Sequence, residues 1–143
     1  MNRTTTVTLT NMCMLYDDKG NVLVEEKAGG LIFPDGHVEN AKSIVDSTVR
    51  EIKEETGLSI SDLEFCGIKD WIEKNGSRYL VFLYKTNKFS GKLMPSDEGD
   101  VYWRPLEELK KKEPLWHLDK ILEIFCGNGV SELYFDDTEV MLK

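Results

Sequence analysis

The chain has 143 residues, with 18 Lys and Arg against 26 Asp and Glu, and therefore a net charge of −8 at pH 7. Its length and its 41% hydrophobic content predict one globular domain over residues 1–143. The acidic balance excludes a non-specific grip on a nucleic-acid polymer or an anionic membrane, because no surplus of cations exists to displace counterions. The apolar runs are too short to cross a bilayer, and the polar residues 1–6 differ from a signal peptide. The sequence therefore predicts a cytoplasmic protein with no membrane partner.

The cysteines are widely separated along the chain, at Cys13, Cys66 and Cys126. They form no Cys-x-x-Cys pair and no Cys/His group, so the sequence predicts neither a disulfide framework nor a zinc site. We interpret them as reduced thiols that pack as small hydrophobic side chains.

The first third of the chain predicts strands and turns. Residues 4–16 are rich in Thr and Val, with apolar side chains close to period two, which favours a strand. Residues 17–21 have the composition of a turn, and the apolar residues 22–24 follow, which predicts a hairpin. Residues 29–37 predict a short strand that runs into a turn containing proline.

A helix is predicted over Ile44–Thr56, with Ser43 or Asn40 as the N-cap and Gly57 just past its C-terminal end. One face of this helix is apolar and the opposite face carries charge. The apolar positions have the i, i+4, i+7 spacing of a buried stripe: Val45, Val49 and Ile52.

The central part of the chain predicts a second hairpin. Residues 65–71 and 78–84 are strand-like and flank the turn dipeptide Asn75-Gly76. Each run is long enough to cross a sheet, so we expect the two strands to pair directly.

The C-terminal part predicts a short strand at 101–103, a helical turn that starts at Pro105, a helix over Leu118–Phe125 and a final strand within 130–135. Strands mixed with two helices indicate a single α/β (α+β) sandwich. No internal repeat or linker interrupts this pattern.

An acidic cluster on the first helix is the most informative feature. Glu51, Glu54 and Glu55 have i, i+3, i+4 spacing, which places three carboxylates on one helix face. Like charges this close repel one another, and Mg²⁺ or Mn²⁺ would relieve the repulsion because hard cations prefer carboxylate oxygens. Arg50 is four residues from Glu54 and can pair with it. A solvated acidic face is the alternative interpretation in so acidic a chain.

The surroundings of this cluster resemble the Nudix box. That motif requires Gly, five residues, Glu, seven residues, Arg-Glu, an aliphatic residue, any residue, Glu-Glu, any residue, Gly and an aliphatic residue. The chain meets six of its seven single-residue positions and both aliphatic positions. The matching residues are Gly36, Arg50, Glu51, Ile52, Glu54, Glu55, Gly57 and Leu58. The strand, turn and helix predicted independently are the context that the motif needs.

One position of the motif departs from the pattern. Lys42 stands where the first Glu is required, and a cation in this position also opposes the helix dipole. The usual Gly-Gly before the helix is altered to Asp35-Gly36. Glu39 is a candidate to replace the missing negative charge.

The resemblance implies a Nudix-type α/β/α sandwich with a mixed central sheet and a hydrolase of nucleoside diphosphates linked to another group. By similarity, Glu51, Glu54 and Glu55 would bind Mg²⁺ or Mn²⁺, together with the backbone carbonyl of Asp35. Arg50 would orient the glutamates, and Glu51 would also assist deprotonation of the attacking water. The catalytic residues implied are thus Glu51, Arg50 and Glu54.

Other residues are implied at the edges of this site. Glu98, or Asp97 beside it, would add a metal ligand before the late strand that contains a tryptophan. Lys27 would contact phosphate, with a solvated strand-end lysine as the alternative. Gly36 would let the backbone approach the substrate. Asp119 would accept a hydrogen bond from a guanine edge.

The resemblance extends over roughly residues 5–125 and is strongest to the MutT-like branch, the 8-oxo-dGTP diphosphatases. It implies hydrolysis of a nucleoside triphosphate, favoured as 8-oxo-dGTP or a related oxidised purine nucleotide, to the monophosphate and pyrophosphate. Hydrolysis of another conjugate is the first alternative, although Glu73 and Lys74 do not fit the ADP-ribose type and Tyr79 comes late for the dinucleoside type. A weakened domain that only binds nucleotides, as Lys42 indicates, is the second. The oligomeric state stays open.

Three tryptophans are candidate platforms for the base: Trp71, Trp103 and Trp116. The alternative is that they belong to the hydrophobic core. His37 and His117 are not expected to bind the metal, because an oxygen-rich cluster favours hard cations.

Overall fold

The computed structural model describes residues 3–94, 99–112 and 115–143. The strands are β1 (Val7–Leu15), β2 (Asn21–Lys27), β3 (Gly30–Ile32), β4 (Asp35–His37), β5 (Leu58–Ser61), β6 (Glu64–Ile72), β7 (Arg78–Thr86), β8 (Lys88–Gly91), β9 (Val101–Pro105), β10 (Glu132–Phe135) and β11 (Val140–Leu142). The helices are α1 (Ile44–Thr56), α2 (Leu106–Lys111) and α3 (Leu118–Phe125).

The central sheet has six strands in the order β11-β10-β6-β7-β1-β4. Its β1–β7 and β10–β6 pairs are parallel and its other pairs are antiparallel, so the expected mixed sheet is confirmed. A smaller sheet, β3-β2-β9, and the pair β5-β8 complete the β-structure. Strand β4 ends the central sheet, next to helix α1.

The alternation of side chains along β1 separates two hydrophobic cores. Met12 and Met14 face α3, whereas Cys13 and Leu15 face α1. Successive residues of a strand point to opposite faces, so the apolar run Met12–Leu15 at the end of β1 is buried on both sides. The helices therefore cover both faces of the sheet, which confirms the α/β/α sandwich.

Helix α1 begins and ends at the predicted residues because both of its caps are satisfied. The Ser43 hydroxyl accepts a hydrogen bond from the Asp46 N–H at 3.2 Å. Gly57 has the left-handed φ of 83°, and its N–H donates to the Lys53 carbonyl. The predicted apolar stripe is wrong at Val45, which is exposed. The helix buries small polar side chains and Glu55 beside Ile52 instead, because its inner face borders the cleft.

The predicted hairpin at residues 17–21 is wrong in its strand pairing. The chain does turn there, since the Asp17 carboxylate accepts hydrogen bonds from the N–H groups of Lys19 and Asn21. Among the described residues, however, the one bridge here joins Val22 of β2 to Tyr16, which follows the end of β1. Strand β2 then diverges to pair with β3 and β9, because β1 is already paired on both edges.

The later elements agree with the sequence more closely. The β6–β7 hairpin and the α3 bounds are confirmed. The final strand is confirmed over β10, and the helical turn predicted from Pro105 is helix α2. The strands β5, β8 and β11 add to the predicted set. Cys126 is exposed rather than packed in the core. Within the described residues, no helix is long and apolar enough to cross a membrane.

Candidate functional site

Gly36 brings the edge strand β4 against helix α1. A Cβ atom at this position would lie 2.6 Å from Cδ and 2.7 Å from Oε2 of Glu51. Real Cβ contacts are not this short, so glycine is what allows the Glu51 carboxylate to lie against the backbone of β4. The local sequence thus fixes where this carboxylate lies.

Glu51 and Glu55 face a cleft of about 540 Å³, which we call the acidic cleft. The Glu51 side chain is 18% exposed, and Glu55 is buried. The lining residues come from β1, β2, β4, α1 and β7: Thr10, Lys27, Asp35, Gly36, His37, Glu51, Glu55 and Tyr79. The structure therefore brings together Lys27, Gly36 and two of the three predicted glutamates.

Lys27 supplies a positive charge in the acidic cleft. Its Nζ lies 2.9 Å from Asp35 Oδ1 and 3.7 Å from Glu25 Oε2. Burial acts to lower the pKa of Lys27, but the hydrogen bond and charge of Asp35, with the charges of Glu25 and Glu55, raise it above its ordinary value. The side chain is therefore a cation across the physiological pH range.

Arg50 joins several carboxylates on one side of α1. Its Nη2 lies 3.1 Å from Glu51 Oε1, and its Nη1 lies 3.1 Å from Glu54 Oε1 and 3.0 Å from Glu39 Oε1. Glu54 is 57% exposed and lies on the neighbouring surface beside Lys53, not in the acidic cleft. Arg50 thus connects Glu51, which lies in the acidic cleft, with Glu54, which lies outside it.

The predicted metal ligands do not form a preassembled cluster. Within residues 3–94, 99–112 and 115–143, no three His, Cys, Asp or Glu side chains lie close enough together to hold a metal ion. Glu54 is directed towards Arg50, and the predicted ligand Glu98, with its neighbour Asp97, lies outside the described residues. Glu51, Glu55 and Asp35 are the predicted metal-ligand residues that the cleft does bring to one place.

A second cavity of about 370 Å³ opens from the acidic cleft, and we call it the aromatic pocket. The two share Thr10, Lys27, Asp35 and Tyr79. The residues found only in the pocket are Met12, Ile32, Lys69, Trp71, Val81 and Trp116. A charged cleft that continues into an apolar pocket suits a ligand with one ionic and one flat apolar end.

The tryptophans occupy different environments. Trp71 stacks against Tyr79, with ring centroids 4.3 Å apart, and against Phe135 at 5.1 Å, so its faces are already covered. Trp103 packs on Phe89 beside the α1 core. Trp116 is 42% exposed and lines the aromatic pocket, so it stays a candidate platform for a base.

The predicted residue Asp119 lies elsewhere. It lines a separate cavity beside Lys110 and Leu122, and its carboxylate is 3.5 Å from Lys120. The histidines also lie apart, since the His117 ring contacts Phe135 and the His37 ring contacts Tyr79. The structure therefore does not bring Asp119 to either the acidic cleft or the aromatic pocket.

Lys69 is a pocket residue that sequence reasoning missed. It is 6% exposed, and its Nζ donates to the Trp116 carbonyl at 2.8 Å and lies 5.4 Å from the centre of the Trp71 ring. Burial lowers the pKa of Lys69 to about 8, although the charge of Asp35 opposes this. A signal did exist, because alternation along β6 puts residues 69 and 71 on the same face.

The chain is similar to known proteins in sequence and in fold. The model of the NUDIX domain family matches residues 8–123. An uncharacterized Nudix hydrolase, YvcI of Bacillus subtilis, is 29% identical over 71% of this chain and 68% of its own length. Phosphatase NudJ of Escherichia coli is 30% identical over 53% of this chain, a match that spans about half of NudJ (52%). The MutT protein of Bacillus halodurans has the same fold, with a TM-score of 0.75, 24% identity and 94% of each chain covered.

Proposed function

This chain belongs to the NUDIX family of pyrophosphohydrolases, and on that premise we propose that it hydrolyses a nucleoside triphosphate to the monophosphate and pyrophosphate with the aid of a divalent cation. The observation that carries the proposal is the union of the acidic cleft with the aromatic pocket at the edge strand β4. A triphosphate needs charged partners, which the acidic cleft provides, whereas a base needs a flat apolar surface, which the aromatic pocket provides.

The donor atoms of the acidic cleft suit a hard cation. Its donors are carboxylate and carbonyl oxygens, which Mg²⁺ and Mn²⁺ prefer. The contact between Gly36 and Glu51 leaves no room for a side chain, so the backbone of β4 and the carboxylate border one space. Glu51, Glu55 and the Asp35 carbonyl would hold the ion. When bound, it would neutralise phosphate oxygens and lower the pKa of a coordinated water.

The side chains around this space have separate tasks. Lys27 remains charged and binds a phosphate oxygen of the substrate. This contact replaces the ion pair that Lys27 makes with Asp35. Arg50 orients the Glu51 carboxylate through the hydrogen bond from Nη2 to Oε1. Glu51 accepts the proton of the attacking water at its carboxylate. Positioning and electrostatics supply most of the catalysis in phosphoryl transfer, so each contact affects the rate.

The favoured substrate is 8-oxo-dGTP or a related oxidised purine nucleotide. The aromatic pocket, which the partly exposed Trp116 lines, supports a flat base as the occupant. The resemblance of several segments to the MutT-like branch supports a guanine derivative. Other nucleoside diphosphate conjugates would use the same acidic cleft and differ in what fills the pocket.

The test is pyrophosphate release from a panel of nucleotides in the presence of Mg²⁺ and after its removal with EDTA. We expect Glu51→Gln to lower kcat by about 10³-fold or more, because it removes a charge that acts in the transition state. Glu123→Gln, on the exposed side of α3, is the control and should retain full activity. Equal activity of the Glu51 variant and the parent protein would reject the proposal.

Lys42 favours a second candidate, a domain that binds nucleotides with little turnover. Lys42 is exposed just before helix α1, at the position where the motif requires a carboxylate. This candidate predicts Mg²⁺-dependent nucleotide binding without pyrophosphate release, and no gain of activity in Lys42→Glu. Turnover by the parent protein would exclude it.

A further inference from the structure

A buried cation stands in the aromatic pocket, where an apolar side chain would be expected. Lys69 is 6% exposed, and Met12, Ile32 and Val81 line the same cavity. Burying an ammonium is costly unless charges or hydrogen bonds compensate it. In the part of the chain that the structure describes, Lys69 Nζ is bonded to a neutral carbonyl, that of Trp116, and not to a carboxylate. A charge kept at this cost calls for a ligand group that it binds.

The ammonium has hydrogen-bonding capacity left for such a group. It carries three N–H donors, and the Trp116 carbonyl takes one at 2.8 Å. The contact fixes Nζ beside the Trp71 ring, at 5.4 Å from its centre. The carbonyl is directed by an unusual turn, since Trp116 and His117 both have left-handed backbone, with φ of 52° and 60°. The lysine is therefore held at a defined position on the wall of the pocket.

Lys69 and Trp116 line the same small cavity. A base stacked on Trp116 would present its edge to the pocket wall. Guanine and hypoxanthine carry an oxygen acceptor at the 6 position, whereas adenine carries an amino donor that opposes a cation. An ammonium on this wall thus separates the two classes of purine.

Resting on the proposed function, we propose that Lys69 is the residue that selects 6-oxopurine nucleotides over 6-aminopurine nucleotides by donating a hydrogen bond to the 6-oxo group. The oxygen at position 6 is common to guanine and 8-oxoguanine. Oxidation converts N7 from an acceptor to an N–H donor, which a cation does not favour. Lys69 therefore distinguishes guanine-type bases from adenine and does not read the oxidation itself.

The experiment compares dITP with dATP, which differ in the group at position 6 and in the hydrogen at N1, in the full chain with Mg²⁺. We expect Lys69→Met to lower the ratio of kcat/KM for dITP over dATP by about 10- to 100-fold, the usual loss when one specific hydrogen bond to a base is removed. Lys69→Gln, which keeps a donor on a shorter side chain, should lie between. The ratio for 8-oxo-dGTP over dGTP should not change.

Lys85→Met is the matched control. The Lys85 Nζ also donates to a backbone carbonyl, that of Phe125 at 2.7 Å, but it lies outside the pocket. Both variants lose a lysine that stabilises a carbonyl, so a structural effect appears in both. If Lys69→Met lowers the rates for dITP and dATP equally, as Lys85→Met would, Lys69 only anchors the Trp116 turn and the inference is overturned.

Binding of the products separates this inference from the proposed function. Calorimetry with dIMP and dAMP requires no turnover. If the parent protein hydrolyses no nucleotide but prefers dIMP, and Lys69→Met abolishes the preference, the inference stands while the proposed function fails. If neither turnover nor binding of the parent protein distinguishes the two bases, the inference is rejected.

Discussion

Arg50 Nη1 lies 3.0 Å from Glu39 Oε1, so a residue three positions before Lys42 gives Arg50 a carboxylate partner outside the helix. The same guanidinium contacts Glu51 and Glu54. The negative charge therefore reaches Arg50 from the loop before the helix. Because the Glu39 side chain is half exposed, its ion pair with Arg50 contributes little to the free energy of unfolding. We expect the pair to act by orienting the Arg50 guanidinium.

We predict that Glu39→Gln lowers kcat by about 10-fold, because Arg50 and with it Glu51 lose a fixed orientation. Lys42→Glu in the same chain should restore most of the activity by returning a carboxylate to the motif position. Steady-state pyrophosphate release measures both. Glu73→Gln, an exposed substitution on the β6–β7 turn, should have no effect. An unchanged rate in Glu39→Gln would show that Arg50 needs no partner from the loop.

Gly36→Ala should impair activity much more than stability. The added Cβ would displace the Glu51 side chain, which lies 2.6 Å away at Cδ, and a flexible side chain can move at small cost to folding. A displacement of this size at a reacting centre costs on the order of 10²-fold in rate. The check is a double-mutant cycle with Glu51→Ala. If Gly36→Ala is as harmful without the Glu51 carboxylate as with it, the contact is not the cause.

Gly57→Ala should destabilise the fold more than Gly76→Ala. Both glycines have a left-handed φ, 83° and 86°, so both substitutions carry the same strain of about 1 kcal/mol. A Cβ at Gly57 would also lie 2.6 Å from the Lys92 carbonyl, whereas Gly76 faces open space. Urea unfolding of the two variants measures the difference directly. Equal midpoints would mean that the chain around Lys92 yields without cost.

Asp70 should make stability depend on pH in the acidic range. Its side chain is buried, and burial, with the hydrogen bond and charge of Glu132, raises the pKa of Asp70 to about 6, although Arg78 opposes this. The ordinary value is 3.8. The folded state therefore binds more protons between these values, and the stabilisation present below pH 3.8 is lost as the pH rises through about 6.

Asp70→Asn removes this titration. We expect the free energy of unfolding of the variant to rise relative to that of the parent protein as the pH increases from 4 to 7. Tyr134 on β10 and Arg78 on β7 also face Asp70. Glu132→Gln is the control, because it keeps Asp70 and removes the neighbouring carboxyl group that raises its pKa. This variant should show a weaker pH dependence, and parallel stability curves for all three proteins would refute the assignment.

Local features of the sequence predicted helix α1 and the β6–β7 hairpin well. Ser43 and Gly57 satisfy the helix ends within a few residues, and the Asn75-Gly76 turn selects its own strand pairing. These interactions join residues that are close in sequence, so a local sequence pattern predicts them. The same holds for the Nudix box, whose spacing is a property of one loop and one helix.

The pairing of β2 and the fate of each glutamate depended on contacts between distant segments. Strand β2 looks like the partner of β1, but β1 is taken by β4 and β7. Glu54 and Glu55 are neighbours in sequence, yet one lies beside Arg50 at the surface and the other is buried in the cleft. Competition for one edge or one face is not visible in a local pattern.

The sequence by itself determined that a loop and an acidic helix of Nudix type are present, because spacing and capping act within a few turns of chain. Only the tertiary structure decided that Lys69 of β6 and Trp116, which are far apart in sequence, meet in one pocket. The sheet register places Lys69 opposite Val81, and the turn before α3 brings the Trp116 carbonyl above it. Packing across the sheet, and not the local pattern, puts a buried cation in the pocket where we propose that a base binds.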